Sequence, residues 1–186
     1  MQGYKRYGLP DTHDYNNPKN EAFSKVACVD GCWLCMRKEV WQEFPFDEYL
    51  LKKFHGYDLD ISLSVNQKYD VVVTFDVLMR HVSEGNYDKT WYEEMLKVHE
   101  KWSYFLPLDA DQVINADLAF NEKRAFRRFL QNSINDGVPY SRLMKVIWMA
   151  RPSRLMGFEM VVKLCFALLK MKKKPPVPRI NDQMLY

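Results

Sequence analysis

Asp58 and Asp60 stand one residue apart in FHGYDLDISLSV, residues 54–65, and His81 closes the apolar run VVVTFDVLMRH. Carboxylates and an imidazole can hold a divalent metal or move a proton, so these three residues are the first candidates for chemistry. His81 ends a strand just ahead of Ser83-Glu84-Gly85-Asn86, and side chains at strand ends open into clefts. A plain structural role is equally consistent: one acid caps a helix, the other is solvated and the histidine is half-buried. Cys28, Cys32 and Cys35 have a C-x3-C-x2-C spacing that invites zinc. Structural zinc needs four ligands, and no fourth Cys or nearby His follows at a usual interval. These cysteines therefore read as small apolar residues of adjoining strands around Asp30-Gly31.

The elements that must position these residues are read from periodicity. Leu59, Ile61, Leu63 and Val65 alternate with polar residues, the period of a half-buried strand. Yet acids after a glycine also open helices, where they complement free N–H groups and the helix dipole. The pattern leaves both open. Residues 1–24 are rich in Gly, Pro, Asn and Asp and read as loop. A short helix is expected near Lys38 to Glu43, then an irregular loop with aromatic anchors in FPFDEYLLKKFHG. YDVVVTFDVLMRHVS is the clearest strand region, broken at Asp76. Trp91, Met95, Val98 and Trp102 share one side of a helix. From Asp111 onward only helices are expected. Phe126, Leu130 and Ile134 recur every four residues among Lys123, Arg124, Arg127 and Arg128, and two further helical stretches are bounded by Pro139 and Pro152. The basic, proline-rich KKKPPVPR ends the ordered chain.

A chain of 186 residues, 47% hydrophobic and 15% aromatic, has room for one good core and an appendage. No stretch approaches the roughly 20 apolar residues that span a bilayer. Four cysteines without a secretory signal favour a reducing cytoplasm. Charge is sharply divided: residues 1–119 hold 13 Lys/Arg against 20 Asp/Glu, and residues 120–179 hold 14 against 3. An acidic front and a basic rear imply two parts with different surfaces to face.

Several ordered segments, VDGCWLCMRKEVW, FDE, FHGYDLDISL, VVVTFDVLMRHVSEGN, KW and LP, together resemble the C-terminal half of the catalytic domain of bacterial family-2-type glycosyltransferases. The resemblance covers roughly residues 25–107 and rests on the order of its elements. It implies an α/β fold, a partial GT-A-like mixed sheet with helices, followed by an all-helical basic C-terminal extension. The expected divisions are a loop-like segment 1–24, an acceptor-side half 25–107, a helical extension 108–174 and a tail 175–186. By the same resemblance, FHGYDLDISL is a helix with the catalytic base, Asp58, in its first turn, and Tyr57 stands where many relatives carry Glu. Asp30 and Gly31 would border the sugar, Asp60 would orient the first turn or the acceptor, and His81 would lie near the diphosphate and a divalent cation, Mn or Mg.

The expected activity is transfer of a sugar from a nucleotide-sugar donor to a hydroxyl of a surface polysaccharide or lipid-linked glycan. The family's nucleotide-binding half should precede residue 25, where only 24 loop-like residues stand. The isolated chain is therefore expected to be inactive and to bind nucleotide-sugar weakly. Two other readings stand beside this one: a non-catalytic interaction or membrane-docking module descended from such an enzyme, and a metal-dependent hydrolase built on Asp58, Asp60 and His81. The apolar run from Phe158 to Met171, joined to Lys172, Lys173 and Lys174, predicts docking to an anionic membrane surface from the cytoplasmic side. Nucleic acid is not expected there, because base-stacking aromatics are not interleaved with the basic run.

Overall fold

In a computed structural model, FHGYDLDISLSV is helical: α2, Tyr57–Val65, starts behind Gly56, whose φ of 83° is left-handed and suits glycine. Leu59 and Leu63 face a cluster with Leu51, Val98 and Trp102, while Ile61 and Val65 face another with Val40, Leu34 and Met36. Residues two apart on a helix point about 200° from each other, so a helix gripped on opposite sides shows an alternating sequence. The strand-like period is thus produced by two cores, one on either side.

The structure describes residues 2–4, 12–14, 17, 19–77, 79–81, 88–108, 110, 115–149 and 157–173, with the backbone alone described at 2–4, 12–14, 79–81 and 115–118. It is mixed α/β and divides into two compact units, residues 1–113 and 114–186. The sequence had placed this division at 107/108.

In unit 1, β1 (Gln2–Tyr4) pairs antiparallel with β2 (Thr12–Asp14) and parallel with β5 (Met79–His81), giving a mixed sheet ordered β2-β1-β5. The loop reading of residues 1–24 is corrected here: short strands with turn-rich flanks carry too few residues for a period to show. A second, two-stranded antiparallel sheet joins β3 (Phe23–Lys25) to β4 (Val72–Thr74). The expected break at Asp76 separates β4 from β5, which belong to different sheets. Helix α1 is Lys38–Glu43. Helix α3, Lys89–Lys101, begins at Asp88, whose carboxylate accepts the Trp91 N–H at 2.9 Å. Met95, Val98 and Trp102 are buried along it as its spacing predicted, with Trp91 half-buried.

The segment 26–37 is neither helix nor strand, which corrects the expected adjoining strands around Asp30-Gly31. The Val26 N–H donates to the Val71 carbonyl at 3.0 Å, and other backbone groups of residues 26–31 bond to side chains of α2 and its cap. Asn66 Nδ2 donates to the Val26 and Ala27 carbonyls at 3.1 Å, the Val29 N–H donates to Ser62 Oγ at 3.2 Å, and the Gly31 N–H donates to Asp58 Oδ2 at 3.0 Å. Asp58, Ser62 and the C-terminal capping residue Asn66 are four apart, so one polar stripe of α2 and its cap straps down residues 26–31.

Unit 2 has only helices among its described elements: α4 (Asn115–Asn135), α5 (Tyr140–Met149) and α6 (Phe158–Lys170). Leu130, Ile134, Leu143, Ile147, Leu164 and Leu168 form its buried core. Helix α4 closes on Gly137, φ 81°, with the Val138 N–H donating to the Ser133 carbonyl at 2.9 Å and the Gly137 N–H to the Ile134 carbonyl at 3.1 Å. Among the described residues no helix is long and apolar enough to cross a membrane.

Candidate functional site

Asp58 sits half-buried in the first turn of α2 with both carboxylate oxygens engaged by backbone donors, Oδ2 by the Gly31 N–H and Oδ1 by the Leu59 N–H, each at 3.0 Å. One lone-pair direction on each oxygen is left for a further partner. A carboxylate so held is fixed in direction while still able to accept a proton. Gly31 is needed for the approach: a Cβ there would lie 2.5 Å from Tyr57 Oη and 3.3 Å from Asp58 Cβ. Tyr57 Oη in turn donates to the Gly31 carbonyl at 3.4 Å. Burial, helped by the charges of Asp58, Asp30 and Cys32, raises the Tyr57 pKa, so the phenol keeps its proton and its donor role.

Asp30 is exposed at the turn after this contact, accepting the Cys32 N–H at 2.9 Å. With Ser62 it borders a groove of about 520 Å³ whose other walls include Trp33, Leu34, Val40 and Val73. On the other flank stand the loop aromatics. Phe46 and Phe54 approach the Tyr57 ring with centroids 6.1 and 5.8 Å away, and Phe54 is 80% exposed. The sequence marks this loop as aromatically anchored; of its rings Phe44 is the packed one, edge-on to Tyr69 at 6.1 Å, while Phe46, Tyr49 and Phe54 face solvent. Asp30, Gly31, Tyr57 and Asp58 are thus together, beside a rim of open rings.

Asp60 is elsewhere. It is 3% exposed and points to the end of α3, accepting from Trp102 Nε1 at 2.7 Å, with Lys101 Nζ 2.8 Å from its Oδ1. Lys101 Nζ also lies 2.8 Å from Asp47 Oδ2, in the FDE segment. Burial alone would lower the Lys101 pKa, but bonds to Asp47 and Asp60 outweigh it and hold the ammonium charged. Asp60 thus joins α2 to α3 and, through Lys101, to the 47–51 turn. Lys101, Ser62 and Asn66 escaped notice because only the fold reveals their partners. His81 lies on β5 with its backbone opposite Tyr4, and its side chain is outside the described atoms.

No three or more His, Cys, Asp or Glu side chains among the described residues form a group that could hold a metal ion. Asp58 and Asp60 diverge, one to the Gly31 turn and the other to Trp102. Burial, reinforced by the Asp58 charge, pushes the Cys28 thiol up to about 11.

The raised thiol gives a direct check on this neighbourhood. Between pH 8 and 9 Cys28 stays protonated, so iodoacetamide should modify exposed Cys32 and Cys35 well before it, and its rate should climb only as pH approaches its pKa. Asp58→Asn removes one of the two causes and should move the Cys28 profile to lower pH. Mass spectrometry of timed alkylation reads both effects, and equal rates at Cys28 and Cys35 at pH 8 would contradict the burial described.

No protein-family model, curated protein or solved structure matches this chain.

Proposed function

We propose that residues 25–107 are the acceptor-side, base-bearing half of a GT-A-like glycosyltransferase, which moves a sugar from a nucleotide-sugar donor to a hydroxyl of a glycan or lipid-linked acceptor. The observation that carries this reading is Asp58, a carboxylate clamped by two backbone N–H groups at a helix start and flanked by open aromatic rings. An acceptor hydroxyl has a pKa far above 7 and must lose its proton as its oxygen attacks the anomeric carbon. Asp58 takes that proton while the nucleoside diphosphate leaves with the bonding pair. Phe54 and Tyr57 offer faces on which the C–H side of a sugar ring can pack, since aromatic faces are electron-rich and C–H edges weakly positive. Asp30, exposed beside Gly31, would accept from a sugar hydroxyl. His81 keeps its place near the diphosphate by the resemblance alone. Four free thiols fit a reducing, cytoplasmic setting, and the enzyme would work there at the inner face of the cell membrane.

Ligand-observed and chemical-shift NMR on the full chain tests this half of the enzyme. Oligosaccharides at millimolar concentration should perturb Phe54, Tyr57 and Gly31, and Phe54→Ala should weaken the effect severalfold. Uridine diphosphate should bind weakly or not at all. Tight nucleotide binding, or no saccharide response at these residues, would overturn the assignment.

A further inference from the structure

Helix α6 has two apolar faces. Val161, Leu164 and Leu168 are buried in the core of unit 2, but Phe158, Val162, Phe166 and Leu169 are 65%, 37%, 60% and 64% exposed. The exposed four fall within about 80° of helical arc, so they make one continuous stripe. Trp148 of α5, itself 56% exposed, extends it by contact with Phe158 at a ring-centroid distance of 6.4 Å. Scattered exposed apolar residues are ordinary, whereas a contiguous stripe of this kind marks a binding surface.

Charge indicates what the stripe meets. Arg127, Lys163, Lys170, Lys172 and Lys173, with Phe166 among them, line a concavity of about 690 Å³ that no carboxylate lines among the described residues. Lys163 also pairs with Glu159 one turn back on the exposed surface. We infer that this face of unit 2 docks on an anionic lipid bilayer, with Phe158, Phe166 and Leu169 entering the headgroup–acyl boundary and the cationic hollow receiving lipid phosphate. Helix α6 has 13 residues and is about 20 Å long, against a hydrocarbon core of about 30 Å, so it lies in the plane of the interface. The lysine stems run along the apolar stripe while their ammonium groups stay at headgroup level. Trp148 and Phe158 occupy the end of the stripe, and aromatic rings favour that depth. The inference rests on unit 2 alone and is independent of the glycosyl-transfer reading.

Sedimentation of the full chain with phosphatidylserine–phosphatidylcholine vesicles, and with phosphatidylcholine alone, tests it. Binding to the anionic vesicles is expected, weakening with salt and falling by about fivefold for each cation removed near the surface. Lys170→Glu with Lys172→Glu and Lys173→Glu should abolish it. Phe158→Ser with Phe166→Ser and Leu169→Ser changes only exposed positions, so circular dichroism should stay native while vesicle binding is lost. Equal binding to both vesicle types, unaltered binding by the serine variant, or binding of a single-stranded oligonucleotide without binding of vesicles would overturn the inference.

Discussion

Asp60→Ala is expected to destabilise unit 1 by about 3–4 kcal/mol, because it removes a buried acceptor that serves two donors at once. Trp102 is 9% exposed, and its indole N–H would lose its bond to Asp60. Lys101 would keep Asp47 and some water, so its share of the loss is smaller. On the scale of a domain this size, the shift in Tm is on the order of 15 °C. Asp60→Asn separates the contributions, since an amide oxygen still accepts from the indole while the ion pair is gone, and about 1–2 kcal/mol is expected. Chemical denaturation followed by tryptophan fluorescence measures both variants. A value for Asp60→Ala within about 0.5 kcal/mol of wild type, as for an ordinary surface change, would mean that the bridge between α2 and α3 is not made.

Asp58→Asn should act on turnover rather than on stability. With the chain joined to a nucleotide-binding half, transfer to the acceptor should fall by about 10²–10⁴-fold, the usual cost of losing a general base. The amide oxygen can still accept the Gly31 N–H, and only the second bond, from Leu59, is lost, so stability should change by about 1 kcal/mol or less. KM for the acceptor should move little compared with kcat, because shape is preserved and basicity is not. Near-normal turnover in this variant would remove Asp58 from the role of base and leave it as the clamp of the 26–31 segment.

The contrast between these two acids shows what the sequence could carry. Both are acidic, both lie in the first turn of α2, and nothing local separates them. Their 200° divergence on a helix sends one to the Gly31 turn and the other to Lys101 and Trp102, and only a correct helical reading reveals this. Periodicity alone pointed equally to a strand, because a helix packed on two sides alternates as a strand does. The three C-terminal helices were legible, since Leu130 and Ile134 repeat at helical spacing and Pro139 and Pro152 bound the stretches that follow. The apolar run of α6 suggested an open face from sequence, but which residues form it was not legible, because a run of apolar residues does not say which sides are covered. Around Asp30-Gly31 the strand reading failed since it assumed backbone partners where polar side chains of α2 serve.

That strap of Asp58, Ser62 and Asn66 gives residues 26–31 the dynamics of a helix without its conformation. The Val29 and Gly31 amides are tied to side chains rooted in α2, which is itself held between two cores. Opening the segment means breaking bonds at three successive turns of one helix, so it opens with α2 as a single cooperative unit and not as an independent loop. The Val29 and Gly31 amide protons should therefore exchange with solvent on the slow timescale of the core.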